Sequence, residues 1–150
     1  MNDLSVAKRL EISGVVQGVG FRPFLFVLAK KYHLNGQVSN TASGVLVNIE
    51  GSLKDIEGFS NDIYHKSPLL ASVTDIETFE TEHKGLSSFQ IVKSTTSNHR
   101  STLISPDVSI CPDCLTEMKN PHDRRHQYPF INCTNCGPRY TIIEDIPYDR

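Results

Sequence analysis

Long hydrophobic runs are missing from this chain of 150 residues, and its opening stretch, Met1 to Arg9, holds no apolar segment of the kind that directs export. No membrane span is expected, and the cytoplasm is the default compartment. An excess of one charge is also missing. The 15 Lys and Arg against 17 Asp and Glu leave a formal net charge of −2. They are spread evenly, with nine basic and ten acidic side chains in residues 1–95 and six and seven in residues 96–150. That balance gives no general ground for binding nucleic acid or a membrane surface. Cysteine is absent from the first hundred residues, so any chemistry there proceeds without a thiolate. No internal repeat is present. Two familiar phosphate motifs fail on spacing: the glycines at 14, 18 and 20 do not make G-x-G-x-x-G, and no Gly-Lys-Ser/Thr follows them.

What is present starts with Gly14-Val-Val-Gln-Gly-Val-Gly-Phe-Arg22. It follows the alternating segment Lys8–Val16, read as a strand, and leads into Phe21, Phe24, Leu25, Leu28 and Tyr32, one face of a helix. Pro23 suits a first helical turn, and the helix should stop near His33–Asn35. Strands are expected near Gly36–Asn40 and Val45–Glu50, joined by Thr-Ala-Ser-Gly. Ser52-Leu-Lys-Asp55 reads as a capping-box variant opening a second helix that ends at Pro68. Ala71–Glu82 is read as a strand, though Val73, Ile76 and Phe79 fall three apart, and Phe89–Lys93 as a last one. The order βαββαβ, with the fourth strand bent or bulged, predicts an α+β sandwich of ferredoxin-like type with an antiparallel sheet. Polar Ser94–Arg100 is the natural linker, giving a first domain at 1–94, a linker at 95–107 and a cysteine-bearing segment at 108–150.

A glycine-punctuated turn between strand and helix can point successive N–H groups at one anion, with Arg22 forking onto further oxygens. A plain strand–helix turn with a solvated arginine is the competing reading. Asn40, at a strand end before a hairpin, can hold and aim a water molecule, or can serve only the turn. Together the segments resemble the acylphosphatase family. Gly14–Arg22 matches its signature G-x-V-Q-G-V-x-F-R throughout, and Gly36–Gly44 matches G-x-V-x-N-x-x-x-G. The resemblance implies that Arg22 and the backbone of Gln17, Gly18, Val19, Gly20 and Phe21 bind the phosphoryl group, and that Asn40 positions the attacking water. It implies hydrolysis of an acyl phosphate without a metal. One residue fewer than usual lies between Gly44 and Gly51, which shortens the hairpin turn and bears on its register.

All four cysteines lie between 111 and 136, as Cys111-Pro-Asp-Cys114 and Cys133-Thr-Asn-Cys136-Gly137. The pattern C-x2-C-x18-C-x2-C favours one tetrahedral structural Zn2+, with disulfides and an iron–sulfur site as the alternatives. His122 and His126 are read as surface residues, and Lys119, Arg124, Arg125 and Arg139 make this segment locally basic. An acylphosphatase-like domain followed by such a finger resembles the N-terminal part of the HypF family of hydrogenase-maturation carbamoyltransferases. Phe21-Arg-Pro-Phe24, Ser105-Pro-Asp107, Asn132-Cys-Thr-Asn-Cys-Gly-Pro-Arg139 and Pro147-Tyr-Asp-Arg150 carry the resemblance. It implies carbamoyl phosphate as substrate. The carbamate would pass to an ATP-dependent site, and the carbamoyl group finally to a HypE-like acceptor protein. Members carry a second finger, a YrdC-like nucleotide domain and a carbamoyl-transfer domain, so this chain is expected to be a fragment able to perform the first step. A generic acylphosphatase, or a phosphate-binding and zinc-finger module without turnover, remain the alternatives. No nucleic acid is expected as a partner.

Overall fold

The computed structural model of the chain describes residues 4–94 and 108–137. The expected linker at 95–107 and the end of the chain at 138–150, with Arg139, lie outside the described residues.

Strand β1 (Ser5–Val15) sends Leu10 and Ile12 to one face, where both are fully buried, while Arg9 and Glu11 pair on the other at 3.1 Å. Helix α1 (Phe21–Lys31) and helix α2 (Leu53–Lys66) cover that apolar face, burying Phe21, Leu25, Ile56, Phe59 and Ile63 against it. Each of these large side chains contributes about 1.5–3 kcal/mol by leaving water. Helix α1 ends at Tyr32, and His33, not the following glycine, takes the left-handed conformation (φ 54°) that turns the chain. Ser52 caps α2 as the sequence implied: its hydroxyl accepts the Asp55 N–H at 3.1 Å and donates to the Asp55 carboxylate at 2.7 Å.

Strands β2 (Asn35–Thr41) and β3 (Gly44–Ser52) form a hairpin whose pairing runs without a slip from Asn35↔Glu50 to Thr41↔Gly44. The shortened turn therefore leaves the register intact, with Ala42 and Ser43 alone at its tip. Strand β4 (Ser72–Glu80) lies on the far side of β1, and there the ladder shifts: Ser13 faces Asp75 but Gly14 faces Val73. The extra residue, Thr74, explains the spacing of three between Val73 and Ile76, since it lets both pack against the core. Phe79 belongs to the opposite face, where the Arg9 guanidinium lies 4.8 Å from its ring centre.

The sheet order is β4-β1-β3-β2-β5, and one expectation is corrected. The sheet is mixed, not antiparallel, because the last strand, β5 (Phe89–Ile91), runs parallel to β2. The path of the chain requires it. After β4 the backbone crosses the end of the sheet to the other edge, and the next strand must start from that same end, as β2 does. Hydrogen bonds mark the crossing: Thr81 N–H to the Ala7 carbonyl (3.1 Å), Lys84 and Leu86 N–H to the Glu50 carboxylate (2.5 and 3.0 Å), and Gly36 N–H to the Ser88 carbonyl (3.0 Å). Burial opposes the Glu50 charge, but those two N–H groups and His83 outweigh it and hold its carboxyl below the ordinary range.

A third helix, α3 (Pro112–Lys119), was not foreseen. Cys111 is its N-cap and Pro112 opens it, so the first cysteine pair doubles as a helix start.

Candidate active site

Between β1 and α1 the loop Val16–Gly20 alternates anchors and glycines. Val16, Val19 and Phe21 are each 1% exposed, with their side chains in the core, while Gly18 and Gly20 stay partly exposed. The apolar anchors fix the backbone and leave its peptide groups to line the surface. Gly18 and Gly20 adopt φ 71° and 75°, a conformation that costs other residues about 1–2 kcal/mol. Left-handed residues alternating with others are the backbone pattern from which anion-binding turns are built. Gly20 is the N-cap of α1, so the helix opens directly from the loop with no acidic residue in its first turn. Arg22 stands in that first turn, half-buried.

Asn40 is the penultimate residue of β2 and is 1% exposed. Turn chemistry would not bury it. The tip has its own side-chain hydrogen bond, since the Thr41 hydroxyl accepts the Ser43 N–H at 3.3 Å. The loop and the hairpin are tied by Gln17, whose buried side-chain amide donates to the Thr41 carbonyl at 2.7 Å and to the Gly44 carbonyl at 2.8 Å. Sequence reasoning placed only the Gln17 backbone at the site; its side chain joins the two signature segments. The signal was a polar residue among buried valines, which does not say where its partners lie.

The four cysteine sulfurs lie within 4.8 Å of one another, at the core of a small cluster with Ile131. Zn–S bonds of about 2.3 Å in a tetrahedron place sulfurs about 3.8 Å apart. Here Cys111 and Cys133 are 3.5 Å apart, Cys114 and Cys136 3.8 Å, and Cys133 and Cys136 3.8 Å. These are the edges of a metal-sized tetrahedron and far too long for disulfides. N–H groups support the sulfurs, from Cys114 to Cys111 Sγ (3.5 Å) and from Cys133 to Cys136 Sγ (3.4 Å). Burial drives the Cys114 thiol far up, whereas at Cys136 the Cys133 N–H and other hydrogen bonds outweigh burial and pull it down to about 7. A divalent cation would resolve that tension by binding all four as thiolates. His122 and His126 are exposed and outside this cluster. Arg125 is used structurally, pairing with Glu117 and donating to the Asn132 carbonyl at 2.8 Å.

The finger lies against the loop Val16–Gly20. An open groove of about 760 Å³ separates Phe24 and Leu69 from Ile110 and Pro112, and Gly20, Thr134 and Asn135 meet at its margin.

Residues 8–91, which hold the loop, Arg22 and Asn40, match the acylphosphatase family. The chain belongs to the acylphosphatase family. An acylphosphatase from Thermotoga petrophila is 36% identical over 86 residues, 57% of this chain and 94% of that protein. Residues 110–143 match the HypF finger. The two together are homologous to the N-terminal region of HypF carbamoyltransferases. The carbamoyltransferase HypF of Synechocystis is 42% identical over 141 residues, covering 94% of this chain and 18% of that protein. A crystal structure of full-length HypF in a phosphate- and nucleotide-bound form superimposes with a TM-score of 0.87 at 50% identity, over 97% of this chain and 19% of that one. The chain thus spans under a fifth of the length of these HypF relatives. It carries an acylphosphatase domain and a finger whose four cysteines make a structural zinc site. Among the described residues no helix is long and apolar enough to cross a membrane.

Proposed function

We propose that this chain hydrolyses an acyl phosphate, with carbamoyl phosphate as its substrate, as the first step of carbamoyl transfer in nickel–iron hydrogenase maturation. The observation that carries the reading is the Gln17 side chain, which holds the glycine cradle against the strand end that bears Asn40.

In this reading the N–H groups of Gln17–Phe21 and the Arg22 guanidinium bind the phosphoryl oxygens, and the Asn40 amide orients a water molecule in line with the scissile bond. Water oxygen bonds to phosphorus, and the bond from phosphorus to the carbamoyl oxygen breaks. The products are carbamate, inorganic phosphate and one proton. An acyl phosphate has a good leaving group, so positioning and charge stabilisation suffice. When bound, zinc would cross-link the finger through four thiolates, leaving no position open for substrate. The division into an acylphosphatase-like domain at 1–94 and a finger segment at 108–150 follows the same reading. So does a reducing, cytoplasmic compartment, in which the thiols stay available to metal. In the longer enzyme the carbamate would be activated at an ATP-dependent site and delivered to a HypE-like acceptor.

Phosphate release from carbamoyl phosphate and from acetyl phosphate, measured for wild type, Arg22→Ala and Asn40→Ala, tests this. Faster turnover of carbamoyl phosphate by wild type, lost in both variants, is expected. Equal rates in all three proteins would overturn the hydrolytic reading, and a preference for acetyl phosphate would make the site a generic acylphosphatase.

A further inference from the structure

The second cysteine knuckle packs its backbone on the same two glycines that shape the cradle. A methyl group built on Gly137 would overlap the Gly18 carbonyl oxygen, with the carbonyl carbon farther off at 3.2 Å. The Gly18 carbonyl therefore points at the knuckle. A methyl group built on Gly20 would lie 3.3 Å from the Thr134 carbonyl oxygen and 3.7 Å from Thr134 Cγ2. Gly137 is itself held by a zinc-site residue, since its N–H donates to the Cys133 carbonyl at 2.8 Å. It adopts φ 74°, as a residue turning out of a knuckle must.

Peptide planarity turns this contact into an orientation. Across a trans peptide the C=O of one residue and the N–H of the next point in opposite directions. With the Gly18 carbonyl directed at the finger, the Val19 N–H is directed away from it. Gly18 itself tolerates rotation of this peptide, but a full turn-over would force β-branched Val19 to positive φ, so the contact governs the tilt of the Val19 N–H within its present orientation. The core anchors the Val19 side chain, and the Gly137 backbone bears on the Gly18 carbonyl from outside the domain.

We infer that the knuckle Cys133–Gly137 is a positioning element of the phosphate site: the four-thiolate metal centre holds Gly137 against Gly18 and thereby aims the Val19 N–H at the phosphoryl group. The inference rests on the reading of Gly14–Arg22 as a phosphate site. It gives the finger a part in substrate binding, and it makes phosphate affinity depend on metal loading although no ligand of the metal touches phosphate.

The test uses the whole chain and inorganic phosphate, with titration calorimetry for affinity and amide NMR shifts for Val19 and Gly20. Gly137→Ala with its zinc retained, and wild type stripped of zinc and freed of chelator, should each bind phosphate about tenfold more weakly, the value of one charge-assisted hydrogen bond. The Val19 amide should shift in both, before phosphate is added. Arg22→Ala serves as the site control. If it loses phosphate while Gly137→Ala and the stripped protein bind as wild type does, the knuckle has no positioning role. If Arg22→Ala binds phosphate unchanged, the reading of the loop itself fails. Should Gly137→Ala lose its metal, the stripped wild type decides alone, since its acylphosphatase core is separate from the finger's.

Discussion

Gln17 donates its side-chain amide to the backbone carbonyl of Thr41 at 2.7 Å, across a sequence separation of 24 residues. With the second bond to Gly44, both amide protons are spent on the hairpin that carries Asn40. Gln17→Ala should cost about 1–3 kcal/mol in urea unfolding, because it leaves two carbonyls to find new partners. Gln17→Glu should cost more, since a carboxylate would face two carbonyl oxygens. Wild-type stability in both variants would show that the bonds do not hold the loop to the hairpin.

Arg22 and Asn40 should fail in different ways. Arg22→Ala should lose phosphate as a competitive inhibitor and lower kcat by about 10²- to 10³-fold. Asn40→Ala should lower kcat while phosphate inhibition stays near wild type, because aiming water is separate from holding the phosphoryl group. Arg22→Lys should rescue little, since one ammonium cannot replace a planar fork. Steady-state kinetics with phosphate as inhibitor separates these outcomes.

Asp62 ties the two helices together, accepting from Lys31 at 2.7 Å, Tyr32 at 2.8 Å and Lys66 at 2.9 Å. Hydrogen bonds from Lys31, Lys66 and Tyr32 hold its carboxyl far below the ordinary value of 3.8, against the opposing effect of burial. The same contact with Asp62 raises Lys31 above 10.5. A lowered carboxylate contributes stability that is complete above 3.8 and lost as pH falls through the folded value; a raised lysine contributes stability complete below 10.5 and lost as pH rises through its own. Asp62→Asn should therefore flatten the Tm profile at both acid and alkaline ends. The lysines are about half-exposed, so salt should weaken the effect. A variant profile parallel to wild type would refute the coupling.

Zinc removal should melt the finger and spare the sandwich. Among the described residues of the finger the buried hydrophobic side chains are Cys114, Ile131 and Cys136, too few to hold α3 without a cross-link. Hydrogen exchange after chelation should show loss of protection across residues 111–137 and little change in β1, β2 and β3. Protection retained in α3 would mean that the apolar contacts suffice.

Much of the fold was legible because it rests on local patterns. The strand-to-helix change of period at Phe21 and the Ser52 cap are written within a few residues of where they act. The parallel β5 was not, since three residues, Phe89–Ile91, carry no mark of direction; the crossing that sets it depends on Glu50, a strand residue whose partners lie more than thirty positions away. At the site, the cysteines could be read from spacing, and the two segments Gly14–Arg22 and Gly36–Gly44 through their resemblance to the acylphosphatase signatures. The bonds that join them could not. Gln17 reaches the Gly44 carbonyl with its side chain and Gly137 meets Gly18 backbone to backbone, both across long sequence separations, and a glutamine or a glycine looks the same in sequence whether or not it makes such a contact.

The outer strands of the sheet have a consequence for behaviour in a crowded solution. An open edge with free N–H and C=O groups invites another chain to add a strand. On β4 the exposed carboxylates of Asp75, Glu77 and Glu80 stand along that edge, and any second copy would bring the same charges to meet them. On the other side β5 offers only three residues, too short a template for stable pairing. Among the described residues the sheet thus discourages self-association by repulsion at one border and brevity at the other.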